Sequence, residues 1–104
     1  MISGDLPISG LTLDVSEEKL YINWQYHGPN DCLYDFILKF YEDSIFLLME
    51  RVNITNYIYL DYNSCMKYRI EVTAHGSYDN RGNTLIASHV GNGRRMAFHL
   101  QSYF

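Results

Sequence analysis

This sequence predicts an all-β fold, two antiparallel sheets packed face to face. Three observations predict it. Apolar residues recur with period two rather than 3.6 in one segment after another. Clusters of turn-forming residues separate those segments. About seven such segments fit within 104 residues, the usual content of a two-sheet sandwich.

The segments are taken in chain order. Leu11, Leu13 and Val15 alternate with Thr12 and Asp14. Leu20, Ile22, Trp24 and Tyr26 alternate with Tyr21, Asn23 and Gln25, and the breaker His27-Gly28-Pro29-Asn30-Asp31 ends that run. Tyr34, Phe36, Leu38 and Phe40 alternate with Asp35, Ile37 and Lys39. Ile45 to Val52 contains a Leu-Leu-Met-Glu run compatible with a helical turn, but it is short and lies between strands, so it reads as a strand. Ile58, Leu60 and Tyr62 form the next inward set. Tyr68, Ile70, Val72 and Ala74 alternate with Arg69, Glu71 and Thr73. After a turn over Tyr78 to Asn83, Thr84 to Val90 reads as a strand. Gly91-Asn92-Gly93 is a hairpin signal, because Asn-Gly tolerates the positive φ of tight turns. Arg94 to Leu100 is then either an extra C-terminal edge strand or a frayed tail. Such half-buried antiparallel strands put one face on a core and the other in water.

The length is that of one domain, read here as residues 1–104 with a core over about 6–90. Hydrophobic residues at 47% and charged residues at 19% are a globular composition rather than a disordered one. At this size roughly two-thirds of the unfolded chain's surface can be buried, enough for a core without metals or many disulfides. The net charge of −4 argues against nucleic-acid binding, which needs clustered Lys and Arg. No apolar run approaches the roughly 20 residues of a membrane span. Met1-Ile2-Ser3-Gly4-Asp5 has neither a basic nor an apolar stretch of the kind that opens a secretory signal, so none is expected.

Two stretches carry a family resemblance. Leu20-Tyr21-Ile22-Asn23-Trp24 resembles the second strand of a fibronectin type III module, whose tryptophan packs in the core. Tyr62-Asn63-Ser64-Cys65-Met66-Lys67-Tyr68, running on through Ala74, is similar to that family's leucine, six residues, tyrosine pattern, with Tyr62 in place of leucine and Ser64 where proline is common. The resemblance implies a seven-stranded immunoglobulin-like sandwich, with Trp24 and Tyr68 as structural residues and the Tyr68 hydroxyl bonded to upstream backbone. Within the family, Asp31-Cys32, Tyr34 to Glu42 and Phe46 to Val52 resemble the C-terminal module of chromatin scaffolds that accompany a histone-lysine methyltransferase. That resemblance implies an intracellular, nuclear module that binds other proteins, without catalysis. Extracellular receptors carry modules of the same shape.

On that fold Cys32 and Cys65 fall at opposite ends of the sandwich, roughly 25 Å or more apart, against the about 7 Å a disulfide allows between Cα atoms. Two reduced thiols lean towards a reducing compartment. Asn53-Ile54-Thr55 fits the glycosylation pattern and pulls the other way, although about one such triplet is expected by chance in a chain of this composition.

Chemistry is sparse. His27, His75, His89 and His99 lack Cys or His neighbours at zinc spacing, so neither metal nor other cofactor is expected. Ser88 and His89 are adjacent and therefore point to opposite faces of a strand. Glu17-Glu18 and Glu42-Asp43 read as solvated turn charges. No enzyme is expected. What remains is surface: tyrosine occurs 10 times, and Tyr21, Tyr41, Tyr57, Tyr59, Tyr78 and Tyr103 are expected to face outward or lie in loops. Tyr34, Tyr62, Tyr68 and Tyr26 are assigned to the core. Tyrosine is enriched at interfaces, though exposed strand tyrosines also serve cross-strand pairing alone. Ile37, Tyr41, and Phe46 to Met49 including Leu48, together with Tyr57 and Tyr59, are the candidate partner-binding residues. Arg94 and Phe98 are candidates for β-augmentation or a homodimer through an edge strand.

Overall fold

The protein's structure is a computed structural model, which describes residues 6–76 and 81–91. Its strands are β1 (Ile8–Ser16), β2 (Lys19–Tyr26), β3 (Leu33–Glu42), β4 (Ile45–Val52), β5 (Asn56–Tyr59), β6 (Lys67–Gly76) and β7 (Arg81–Val90). A 3-10 turn, Asn30–Cys32, leads into β3. Two antiparallel sheets form the sandwich, one ordered β1-β2-β5 and the other β4-β3-β6-β7. Ile45 to Val52 is a strand, as the sequence indicated. β7 begins at Arg81, so the expected turn is shorter at its C-terminal side; Tyr78 and Gly91's successors, Arg94 and Phe98 among them, lie outside the described residues.

The core is what period two required. Leu20, Ile22 and Trp24 from one sheet meet Phe36, Leu38, Phe40, Tyr68, Ile70, Val72 and Ala74 from the other, all buried. Trp24 and Phe36 pack edge to face with ring centroids 5.4 Å apart. Trp24 and Tyr68 are thus core residues, as expected.

The phase of β5 is inverted relative to the sequence reading. Its pairing sets Tyr59 opposite Leu20 and Tyr57 opposite Ile22, both core positions of β2. Tyr59 is buried and Tyr57 packs on the core, while Ile58 and Leu60 are exposed at 45% and 67%. A one-residue shift of a strand moves its whole set to the other face, and here the large tyrosine rings fill the core: Phe40 stacks on Tyr59 at 5.3 Å. Tyr34 also departs from expectation, being 61% exposed. The pairing of β3 with β6 shifts register between Leu33 and Asp35, which breaks the alternation and turns Tyr34 out.

Two hairpins, β1–β2 and β3–β4, close with two-residue turns whose central residues all have positive φ: Glu17 at 52°, Glu18 at 62°, Asp43 at 49° and Ser44 at 72°. That is the twist such hairpins need, supplied here without glycine. The two sheets are clamped along one side by Asn83, whose side-chain amide accepts from Ile8 N–H and donates to Ile8 C=O, both at 3.0 Å.

Cys32 lies against Gly76 at the end of β6, and Cys65 precedes its start. The 10 residues of β6 rise about 3.3 Å each, holding the thiols roughly 30 Å apart. Both are free, Cys32 buried and Cys65 exposed.

Candidate interaction face

The outer face of the β4-β3-β6-β7 sheet is set by the register of its strands. One row runs Phe46, Tyr41, Arg69, Ser88; the next runs Met49, Lys39, Glu71, Ile86; a third runs Arg51, Ile37, Thr73, Thr84. Tyr41 sits between two neighbours. Phe46 meets its ring edge-on at 5.7 Å, and the Arg69 guanidinium lies 4.0 Å from its centroid. Phe46 is 54% exposed, Met49 50% and Ile86 61%, and Ile45 and Leu47 on the same edge strand are exposed too.

Beside these apolar groups lies a recess of about 170 Å³ lined by Ile37, Lys39, Glu71, Thr73, Arg81, Gly82 and Thr84. The Thr73 and Thr84 hydroxyls share a 2.7 Å hydrogen bond. Arg69 pairs with Glu71 at 3.4 Å and Arg51 with Asp35 at 3.6 Å. Lys39 and Arg81 have no ion-pair partner among the described residues. Asp35 also meets His75 Nδ1 at 3.0 Å.

The face gathers part of the expected set. Phe46 and Tyr41 are on it. Ile37 points the expected way but is only 4% exposed, because it lies on a central strand beneath the side chains that rim the recess. Leu48 is directed inward, opposite Phe40, and packs on the core. Tyr57 and Tyr59 belong to the other sheet and face the core for the register reason given above. Lys39, Arg69, Arg81 and Ile86 were not among the candidate partner-binding residues. Period two marked the first two as outward, but only strand order brings them beside Phe46 and Met49.

Elsewhere the polar groups serve structure. The Tyr68 hydroxyl accepts from Asn63 N–H at 2.9 Å and donates to Glu42 Oε2 at 2.8 Å. Burial, then the Glu42 hydrogen bond, push its pKa well above the ordinary tyrosine value. Asp43 Oδ1 accepts from Lys67 N–H at 2.9 Å. Glu42 and Asp43 therefore tie the β3–β4 turn to β6 instead of standing as solvated charges. His89 hydrogen-bonds the Tyr62 hydroxyl at 3.0 Å, on the opposite face of β7 from Ser88. Among the described residues no three His, Cys, Asp or Glu side chains group as a metal site, and no helix is long and apolar enough to cross a membrane.

No protein-family profile and no curated protein matches the chain. Solved structures do. The central fibronectin-III array of RIM-binding protein matches with a TM-score of 0.54 at 18% identity, over 88% of this chain and 34% of that one. The fold is fibronectin-III-like. The spore cortex lytic enzyme SleM of Clostridium perfringens matches with a TM-score of 0.58 at 12% identity, over 82% of this chain and 27% of that one. Pectate lyase Pel3 of Pectobacterium carotovorum gives 0.51 at 11%, over 81% and 27%. At these identities the likeness speaks for the fold alone, and this chain spans about a third or less of each of those chains.

Proposed function

We propose that this fibronectin-III-like sandwich is a non-catalytic protein-interaction module of a larger intracellular, nuclear scaffold, and that it grips its partner by the outer face of the β4-β3-β6-β7 sheet. One observation carries the reading: Phe46 and Met49 are half exposed on an edge strand, and Met49 is paired with Lys39, which lines a recess on the same face. Apolar groups clustered on a surface and rimmed by polar ones mark partner sites. The two free thiols, held apart at opposite ends of β6, support a reducing compartment. The fold likeness to a module from an array supports a place among further domains. The paired test is affinity capture with the native chain and with Phe46→Ala/Met49→Ala. A partner bound by the first and lost by the folded second supports the reading, and equal capture by both removes it.

A second reading rests on Asn53, which is exposed in the β4–β5 turn within the sequon Asn53-Ile54-Thr55. It makes the chain an extracellular receptor or adhesion module that binds a protein ligand or acts as a spacer. A mass loss on glycosidase treatment of the native protein selects it over the intracellular reading. A homodimer through an edge strand is the remaining alternative, and sedimentation over a concentration series decides it.

A further inference from the structure

The charge on this face has the opposite sign to the charge on the chain. The protein as a whole carries −4. Its β4-β3-β6-β7 outer face carries Lys39, Arg51, Arg69 and Arg81 against the carboxylates of Asp35 and Glu71. Arg51 and Arg69 are matched to those two carboxylates. Among the described residues the excess therefore lies on Lys39 and Arg81, which line one recess together. Two cations with no ion-pair partner among the described residues, over Ile37 and with threonine hydroxyls between them, form a receptor for a carboxylate rather than for an apolar or basic side chain. Glu71, already held by Arg69, borders the recess and disfavours a second anion unless both cations engage it.

From this we infer the chemistry of the partner: an extended acidic segment laid across the sheet, one apolar side chain on Phe46 and Met49 and one carboxylate in the recess between Lys39 and Arg81. The inference rests on the proposed function, since it names the partner of the same face. Strand spacing fixes the separation of the two anchors. From Met49 to the recess is about two strand intervals of ~4.8 Å across the sheet and about two residues of ~3.3 Å along it, roughly 12 Å in all. An extended chain covers that in three to four residues. The recognised pattern is thus an apolar residue and an Asp or Glu three or four positions away.

The test uses a synthetic ten-residue peptide with Phe and Glu four positions apart in a Gly-Ser background, and two copies with the Glu replaced by Gln or by Lys. Each is titrated into the isotope-labelled native chain. The expected result is that the Glu peptide shifts the amide signals of Phe46, Met49, Lys39 and Thr73, that the Gln peptide binds about tenfold more weakly, and that the Lys peptide binds least. Lys39→Ala and Arg81→Ala each weaken the Glu peptide at least fivefold, and Lys39→Arg restores it. Raising the salt weakens the Glu peptide far more than the Gln peptide. If all three peptides bind equally and shift only Phe46 and Met49, the acidic-partner inference falls while the docking face stands. If none shifts any residue of the face, the inference and the proposed function fall together.

Discussion

Replacing Tyr68 by Phe deletes one oxygen from a fully buried ring and leaves the ring's packing in place. That oxygen makes two hydrogen bonds, from Asn63 N–H and to the Glu42 carboxylate. A neutral bond of this kind contributes roughly 1 kcal/mol net, and one to a charged group about 1.5–3 kcal/mol. Glu42 is only half buried and regains part of its hydration, so the lower end of the second range applies. The expected loss is about 2–3 kcal/mol. With a urea slope of about 1.5 kcal/mol/M, the midpoint falls by about 1.3–2 M, read from the fluorescence of Trp24 as the core opens. The double substitution Tyr68→Phe/Glu42→Gln should cost less than the sum of the two singles, since both break the same bond. A loss below about 0.5 kcal/mol, or strict additivity, would refute the view that this hydroxyl pins the β5–β6 link to the end of β3.

Other outcomes follow from the same structure. Burial raises the pKa of Tyr26, Tyr57, Tyr59, Tyr62 and Tyr68, so the folded chain keeps protons the unfolded chain gives up near pH 10. Stability is therefore expected to be whole below pH 10 and to fall as pH rises beyond it, by up to about 1.4 kcal/mol per pH unit for each such group, with a shallower fall in Tyr68→Phe; alkaline urea titrations read both slopes. Glu17→Asn/Glu18→Gly relieves two positive-φ side chains in the β1–β2 turn and should raise stability by about 1–2 kcal/mol, an unchanged urea midpoint counting against the turn assignment. Tyr59→Ala should cost about 3 kcal/mol or more and Ile58→Ala under about 1 kcal/mol, and the reverse order would restore the other phase of β5. A thiol reagent should modify Cys65 at once and Cys32 only as fast as the protein opens, which stopped-flow absorbance distinguishes from two equal rates.

The strands most legible in the sequence are those with one consistent inner face. Leu20, Ile22 and Trp24, and Tyr68, Ile70, Val72 and Ala74, announce both their period and their direction, and both sets are buried as expected. β5 was legible as a strand but not in its phase, because Tyr57, Ile58 and Tyr59, with Leu60 just past its end, offer bulky apolar groups on both parities. Only pairing with Leu20 and Ile22 chose between them. Tyr34 was misplaced by a register shift that leaves no mark in composition. The two hairpin turns were legible in place from Glu17-Glu18 and Glu42-Asp43, but not in type, because they use Glu-Glu and Asp-Ser where Asn-Gly would have declared the positive φ. Of the candidate face, Phe46 and Tyr41 could be read locally, whereas Lys39 and Arg81 become neighbours only once β3, β6 and β7 lie side by side.

The sequence by itself determined that this chain is a sandwich of short antiparallel strands with Trp24 and Tyr68 inside, because alternation of apolar and polar side chains is a one-dimensional property that a pleated strand converts directly into two faces. The tertiary structure alone decided which strands are neighbours, which parity of β5 turns inward, and which charges share a recess. Those depend on pairing between residues far apart in the chain, where the free energy of a contact is set by the partner across the sheet and not by the residue itself.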